Sequence, residues 1–195
     1  IRDRRRIERL KKYNFENFKK VIPNPVSMRT VRDCMKFHLP LPFDYILGKG
    51  NYYFPSFLAW PTWSAPSAVV VYDVTYLAVA ECADKDNRNY LERVVPFSLK
   101  NAKTIITISQ FSKSEIMKYY GVNEDRIVVA PPSIDCTHFY RRSAAEITRV
   151  KAKYDIFSEK YIFSVGNIEP RKNYVRLIEA YTNLPKDITD AYPLV

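Results

Sequence analysis

The stretch YIFSVGNIEPRKNYVRLIEAY (161–181) sets Gly166 and Pro170 just ahead of two adjacent cations, Arg171 and Lys172. An aromatic and β-branched run precedes them and an apolar pattern of helical spacing follows, so the cations stand where a strand turns into a helix. That placement is electrostatically unfavourable by itself. The first N–H groups of a helix have no intrahelical acceptor and carry the positive end of its dipole, which favours anions over cations. Two things can offset the charge: Glu169, giving a solvated surface pair, or a bound phosphate or diphosphate. On the residues alone both readings stand. Gly166 at the strand end would let backbone approach a ligand or take a positive φ. Pro170 suits a first helical turn, where a missing N–H costs nothing.

Such a turn has to be held by strands and helices in alternation. FDYILGKGNYYF reads as a short apolar strand ending at Gly48 and Gly50. SAVVVYDVTYL reads as a second, in which Val69, Val70 and Val71 are too uniformly apolar for a half-exposed strand. YLERVVPFSLKNA is helical in composition, with Pro96 as a kink or boundary. TIITIS (104–109) is a β-branched strand that stops at a helix start, where Ser112 and Glu115 have capping-box spacing. Gly121 suits the left-handed end of that helix. RIVVA (126–130) is the next strand, ended by Pro131 and Pro132. A helix around 143–154, a buried strand YIFSV and a helix from about 171 complete the series. Tyr174, Leu177, Ile178 and Tyr181 form one stripe of that last helix. The alternation predicts an α/β fold with a Rossmann-like parallel sheet covered on both faces. Ligands in such folds sit beyond the C-terminal ends of the strands. That rule selects the positions after Leu47, Val71, Ile108 and Val165, which are Gly48, Tyr72 with Asp73, Ser109, and Gly166.

Composition narrows the function class. At 195 residues and 47% hydrophobic, the chain is long enough for one or two modest domains with real cores. No run approaches the roughly 18 apolar residues of a membrane-spanning helix. The basic start IRDRRRIERL is followed by no apolar h-region, so a soluble chain is expected. Cys34, Cys82 and Cys136 are odd in number and lack metal-ligand spacing, which fits thiols of a reducing compartment, with cytoplasm as the expectation. His38 and His138 sit in no ligand or catalytic motif, and no metal site is expected.

The net charge of +10 is mostly local: residues 1–20 hold nine Lys/Arg against Asp3, Glu8 and Glu16, or 9 − 3 = +6. With Ile7, Leu10, Phe15 and Phe18 interspersed, this segment could lie on an anionic membrane surface or be a solvated helix face. IPNPVSMRTVRDCMKFHLPLP, with prolines at 23, 25, 40 and 42, reads as a broken connector around a short helix. A pI near 9.4 and 14% aromatics prompt a nucleic-acid-binding module as a rival. No nucleic-acid motif accompanies them and the charge gathers at one end, so no nucleic-acid partner is expected.

VGNIEPRKNYVRLIEAY resembles the strand-loop-helix that opens the donor-binding domain of retaining glycosyltransferases with the GT-B fold, the family 4 group that includes many bacterial mannosyltransferases. TIITISQFSKSEIMKYYGVNEDRIVVAPPSID resembles the same family's strand, serine-bearing helix, strand and interdomain crossing, in matching order. AVVVYDVTYL and DYILGKGNYYFPS are similar to family segments more weakly. The resemblance runs from about Phe43 to the end. It implies a partial GT-B fold, with an acceptor-side Rossmann-like domain over 1–138 that lacks its first strand and glycine-rich loop. Residues 139–195 would then be the start of a nucleotide-sugar-binding domain. A protein of this fold is normally about twice as long, so a fragment with little activity of its own is implied.

The activity implied is transfer of a hexose, with retention, from a nucleotide-diphosphate-sugar to a saccharide or lipid-linked acceptor in polysaccharide or glycoconjugate biosynthesis; the expected place is the cytoplasm, with a peripheral position at the inner face of the membrane through residues 1–20 as the alternative. The co-substrate would be a GDP- or UDP-sugar, with no other cofactor. By the same resemblance, Lys172 binds the donor diphosphate and Gly166 lies close to it. Asn167 stands where the family often has a second cation, so the second phosphate contact is left open, and Asn167 and Arg171 join Gly166 and Lys172 as the donor-diphosphate candidates. Tyr72-Asp73 stands where the family commonly has a histidine beside an aspartate facing the reacting sugar. A tyrosine can donate a hydrogen bond there but holds no charge near neutral pH, and an aromatic filling a strand end is the plainer reading. Ser109 and Gly48 are the acceptor-side candidates. A sugar epimerase or a phosphorylase built on the same fold is a further alternative.

Overall fold

In the computed structural model, which describes residues 42–195, four strands form one wholly parallel sheet in the order β1-β2-β3-β4. They are β1 (Tyr52–Phe54), β2 (Ser67–Val70), β3 (Thr104–Thr107) and β4 (Ile127–Val129). The register sets Val69 beside Phe54 on one side and Ile105 on the other, and Ile105 beside Ile127. All four side chains are buried, as are Val70 and Val71. A strand that is apolar on both faces is therefore covered on both. The fold is α/β with a Rossmann-like parallel sheet. The basic segment 1–20 and the proline-broken connector lie outside the described residues.

The expected strand before Gly48 is instead a short helix, α1 (Phe43–Leu47). Tertiary contacts decide this against local strand preference. The Phe43 N–H donates to Pro61 O at 2.8 Å, and its ring lies 4.6 Å from that of Trp60 and edge-on to Tyr52 and Phe54. The next residue, Asp44, accepts three backbone N–H groups, from Trp63 at 2.8 Å, Ser64 at 2.9 Å and Ala65 at 3.0 Å. Gly48 then ends the helix at φ 93°, a conformation that glycine adopts freely. The strand forms only after the glycines.

A short helix α2 (Thr75–Ala78) follows β2, and helix α3 (Lys85–Asn101) returns the chain to β3. Asp84 caps α3 by accepting the Asn87 N–H. Leu91, Val94, Val95, Ser98 and Leu99 form its buried stripe, at helical spacing. Pro96 lies inside this helix and does not end it. An internal proline costs about 3 kcal/mol, and Pro96 faces solvent while the opposite stripe is buried in the core. Burial of several apolar side chains, each contributing roughly 1.5–3 kcal/mol, offsets that cost.

Helix α4 (Gln110–Tyr120) joins β3 to β4. Its cap is Ser109, not Ser112: the Ser109 hydroxyl accepts the Ser112 N–H at 3.0 Å, and Glu115 is left to pair with Lys118. The sequence offered two serines three residues apart, and the helix starts at the earlier one because β3 ends directly before it. Gly121 closes α4 in the left-handed conformation, as its sequence position suggested, with its N–H on Met117 O.

Beyond β4 the structure becomes lighter. No residue from 128 to 195 is buried. Helix α5 (Ala144–Lys153) starts at a full capping box of Ser143 and Glu146. The expected strand YIFSV is a single parallel bridge, Ile162 with Leu194, flanked by hydrogen bonds from Ile162 N to Pro193 O and from Ser164 N to Val195 O, both 3.0 Å. Its pairing partner among the described residues is only the three-residue segment 193–195, so Phe163 and Val165 stay exposed. Helix α6 (Tyr174–Thr182) and helix α7 (Lys186–Ala191) close the described chain.

Candidate functional site

The parallel sheet places three of the candidate residues on one edge. Tyr72, Asp73 and Ser109 follow β2 and β3 at their C-terminal ends, where ligands of parallel α/β sheets gather. Tyr72 is stitched to both neighbouring strand ends. Its hydroxyl donates to Pro55 O at 2.7 Å, just past β1, and its carbonyl accepts from Thr107 Oγ1 at 3.2 Å, at the end of β3. Phe57 packs edge-on against its ring at 5.5 Å. Asp73 accepts the Thr75 N–H at 3.0 Å and so starts α2. Ser109 caps α4 and also donates to Ser112 Oγ at 3.0 Å. Each of the three therefore holds the edge together, and the half-exposed Tyr72 ring remains open to solvent on it. Sequence reasoning missed Phe57; only the aromatic spacing in NYYFPSF hinted at it.

Gly48 does not join them. It precedes β1, so it lies at the edge where the strands begin, opposite the edge of Tyr72 and Ser109. Its selection as a strand-end residue followed from reading 43–47 as a strand, and that segment is helical.

The second group is Gly166, Asn167, Arg171 and Lys172. Pro170–Lys172 form one turn of 3-10 helix, with Pro170 at its first position, and the α-helix begins only at Tyr174. The cause is Asn173, which takes the left-handed conformation at φ 55° and interrupts the helical run. Two donors of this stretch are used: Lys172 N bonds Glu169 O at 2.9 Å and Asn173 N bonds Pro170 O at 3.0 Å. The Lys172 N–H is therefore committed, and the uncommitted first-turn donors of the α-helix belong to Tyr174 and the residues after it. Gly166 has no positive φ. The space where its side chain would stand is taken by the Tyr174 hydroxyl, 2.9 Å from an added Cβ. The close neighbour at this glycine is the movable end of a side chain from the following helix.

Glu169 sorts the two cations. One of its oxygens accepts Arg171 Nε at 2.7 Å and the other accepts Asn167 Nδ2 at 3.3 Å. These contacts, the Asn167 hydrogen bond first, hold its carboxyl below the usual range. Arg171 is thereby committed to an internal partner, whereas the exposed Lys172 side chain makes no hydrogen bond or ion pair among the described residues. No hydrogen bond or ion pair there joins this group to Tyr72 or Ser109. Among the described residues no cluster of His, Cys, Asp or Glu could hold a metal, and no helix is long and apolar enough to cross a membrane.

Comparison with known proteins gives this arrangement a context. The family model described as Glycosyltransferase Family 4 matches residues 1–138, more than two thirds of the chain and including residues 1–42, which no motif had identified. The O-antigen chain mannosyltransferase B of Escherichia coli is 35% identical over 153 residues, covering 78% of this chain and 38% of that protein. A serotype-specific mannosyltransferase WbdA of the same species is 32% identical over 107 residues, covering 54% of this chain and 13% of its own length. The chain thus spans well under half the length of these curated relatives. A crystal structure of a glycosyltransferase from Rickettsia africae ESF-5 superposes with a TM-score of 0.46 at 16% identity, over 97% of this chain and 56% of that one.

Proposed function

Because the chain belongs to glycosyltransferase family 4, a family of transferases, we propose that its protein transfers a hexose, with retention, from a nucleotide-diphosphate-sugar to a saccharide or lipid-linked acceptor in O-antigen-type polysaccharide biosynthesis. The donor is a GDP- or UDP-sugar, and mannose is the sugar that the relatives' names favour. Residues 1–138 form the acceptor-side domain and 139–195 begin the donor side of a GT-B fold.

Lys172 is the group that meets the donor diphosphate. The observation that carries this reading is the division of labour at Glu169: it engages Arg171 and Asn167 and leaves Lys172 as a cation with no partner among the described residues. As the glycosidic bond stretches, negative charge grows on the leaving diphosphate. The Lys172 ammonium and the first N–H groups of α6 stabilise that charge more than they stabilise the bound donor, which lowers the barrier. Arg171 keeps the turn's shape through Glu169. At the C-terminal edge of the sheet, the Tyr72 ring offers a half-exposed aromatic face, and its hydroxyl is already spent on Pro55 O. Tyr72 therefore positions sugar by packing, and Asp73 fixes the turn beside it. The enzyme acts at the inner membrane face, peripherally.

The test is direct. The intact protein is incubated with GDP-mannose and with UDP-hexoses in the presence of a mannose-terminated acceptor, and the product's anomeric configuration is read by NMR. Transfer with the donor's configuration kept supports the reading; an inverted product, or consumption of none of the donors, refutes it.

A further inference from the structure

A cavity of about 400 Å3 opens at the edge where the strands begin, next to Gly50 ahead of β1 and Pro66 ahead of β2. It therefore lies at the opposite end of the sheet from Tyr72 and Ser109. Its walls carry Asp44, Tyr45, Lys49, Trp63 and Ser64. Two of these are large rings left almost wholly in solvent, Tyr45 at 86% and Trp63 at 83% exposure. A single exposed aromatic residue needs no explanation. Two that line one cavity call for a ligand, because aromatic walls with a few fixed polar groups are the usual make-up of small-molecule sites of roughly 300–1,000 Å3.

The backbone that carries Trp63 is held in advance. Asp44 accepts the N–H groups of Trp63, Ser64 and Ala65, and Thr62 Oγ1 donates to Ala65 O at 2.8 Å. A ring displayed on a turn fixed by four hydrogen bonds loses little further backbone freedom on binding, which leaves more of the contact energy as affinity. Asp44 spends both oxygens on this turn, so its main contribution is to position the indole.

The chemistry of the walls selects among ligands. A phosphate would face the Asp44 carboxylate with Lys49 as the only cation lining the cavity among the described residues. A purely apolar ligand would offer no partner to the polar residues Lys49 and Ser64 of the lining. A pyranose satisfies both kinds of wall. Its C–H face carries partial positive charge and lies well on the negative face of an indole or phenol ring, while its hydroxyls reach the polar rim.

We propose that this cavity is a second saccharide-binding site, which holds a pyranose unit of the acceptor chain away from the edge where transfer occurs. It rests on the reading of the acceptor as a saccharide. A site remote from the transfer edge would keep a growing polymer attached between additions, by raising its effective concentration.

Calorimetric titration of the intact protein with an α-linked mannose oligosaccharide, in the absence of nucleotide, tests this. Both rings are exposed, so Trp63→Ala and Tyr45→Ala leave the core untouched. The expected result is saturable binding to the unsubstituted protein, weakened about threefold to tenfold in each variant, with a blue shift of Trp63 fluorescence on addition of sugar. Trp60→Phe removes the other tryptophan signal for that second measurement. Absence of saturable binding, equal affinity in all variants, or an indole shielded from acrylamide before sugar is added each overturns the proposal. Donor binding that still depends on Lys172, alongside any of those results, removes this site alone. Loss of donor binding and of transfer removes the functional reading as well.

Discussion

Replacing Lys172 by alanine separates the two ways of balancing charge at the strand-to-helix turn. If the ammonium meets the donor diphosphate, the substitution deletes one hydrogen bond between charged groups, a contribution of about 1.5–3 kcal/mol. That corresponds to a donor affinity lower by roughly 10- to 150-fold. The structure sharpens the expectation through the neighbouring cation. Arg171 is bound to Glu169 at 2.7 Å and Glu169 to Asn167 at 3.3 Å, so Arg171→Ala removes no direct ligand contact but strips Glu169 of its partner. The uncompensated carboxylate then repels the diphosphate from a short distance. Its effect is screened by salt, whereas loss of a direct contact persists at higher ionic strength. Isothermal titration of GDP and UDP at 50 mM and 500 mM salt distinguishes the two. The Lys172→Ala deficit should persist at high salt and the Arg171→Ala deficit should shrink markedly. Unchanged nucleotide affinity in Lys172→Ala, or a larger and salt-resistant loss in Arg171→Ala, refutes the assignment.

Three other outcomes follow from the geometry. Tyr72→Phe deletes the hydrogen bond to Pro55 O and should cost about 0.5–1 kcal/mol in urea unfolding, with turnover nearly preserved; a drop in kcat of more than about tenfold at unchanged stability would assign the hydroxyl a chemical role. Ser109→Ala should cost about 1 kcal/mol by loss of the α4 cap, while Glu115→Ala, removed from any cap, should cost clearly less in the same assay. Asp44 is held down to about 2 by the N–H groups of Trp63 and Ser64, with that of Ala65 adding to them. Its folded value lies below the ordinary carboxylate value near 3.9, so its contribution to stability is present above that value and is lost as pH falls from about 4 through about 2. Chemical unfolding of Asp44→Asn against the unsubstituted chain should show a gap at neutral pH that closes over this window; parallel curves down to pH 2 would contradict the clamp.

The parts of the fold legible in the sequence are those where a local rule and the tertiary environment agree. Val69–Val71 and TIITIS are β-branched, short and bounded by turn or helix signals, and they form the buried centre of the sheet. Gly121 is a glycine where a left-handed residue is required. The misreadings arise where two local signals compete and a distant contact chooses. FDYIL has strand-like residues, but Asp44 finds three N–H partners some twenty positions away, and no local pattern encodes that. Ser109 and Ser112 are equally good caps by composition, and only the end of β3 decides between them.

The turn at 166–173 follows the same logic at the level of function. Proline, two cations and an apolar stripe do predict a helix start, yet they do not say that Asn173 will take the left-handed conformation and delay it to Tyr174. That delay matters chemically. It places the first donors of α6 after the cations rather than at them, so the Lys172 side chain and the α6 donors belong to successive turns of the chain. A diphosphate, with two phosphoryl groups to distribute, suits such a divided site better than a single phosphate. Inorganic phosphate should accordingly compete poorly with a nucleoside diphosphate, and equal competition by the two would argue for a simple surface cation.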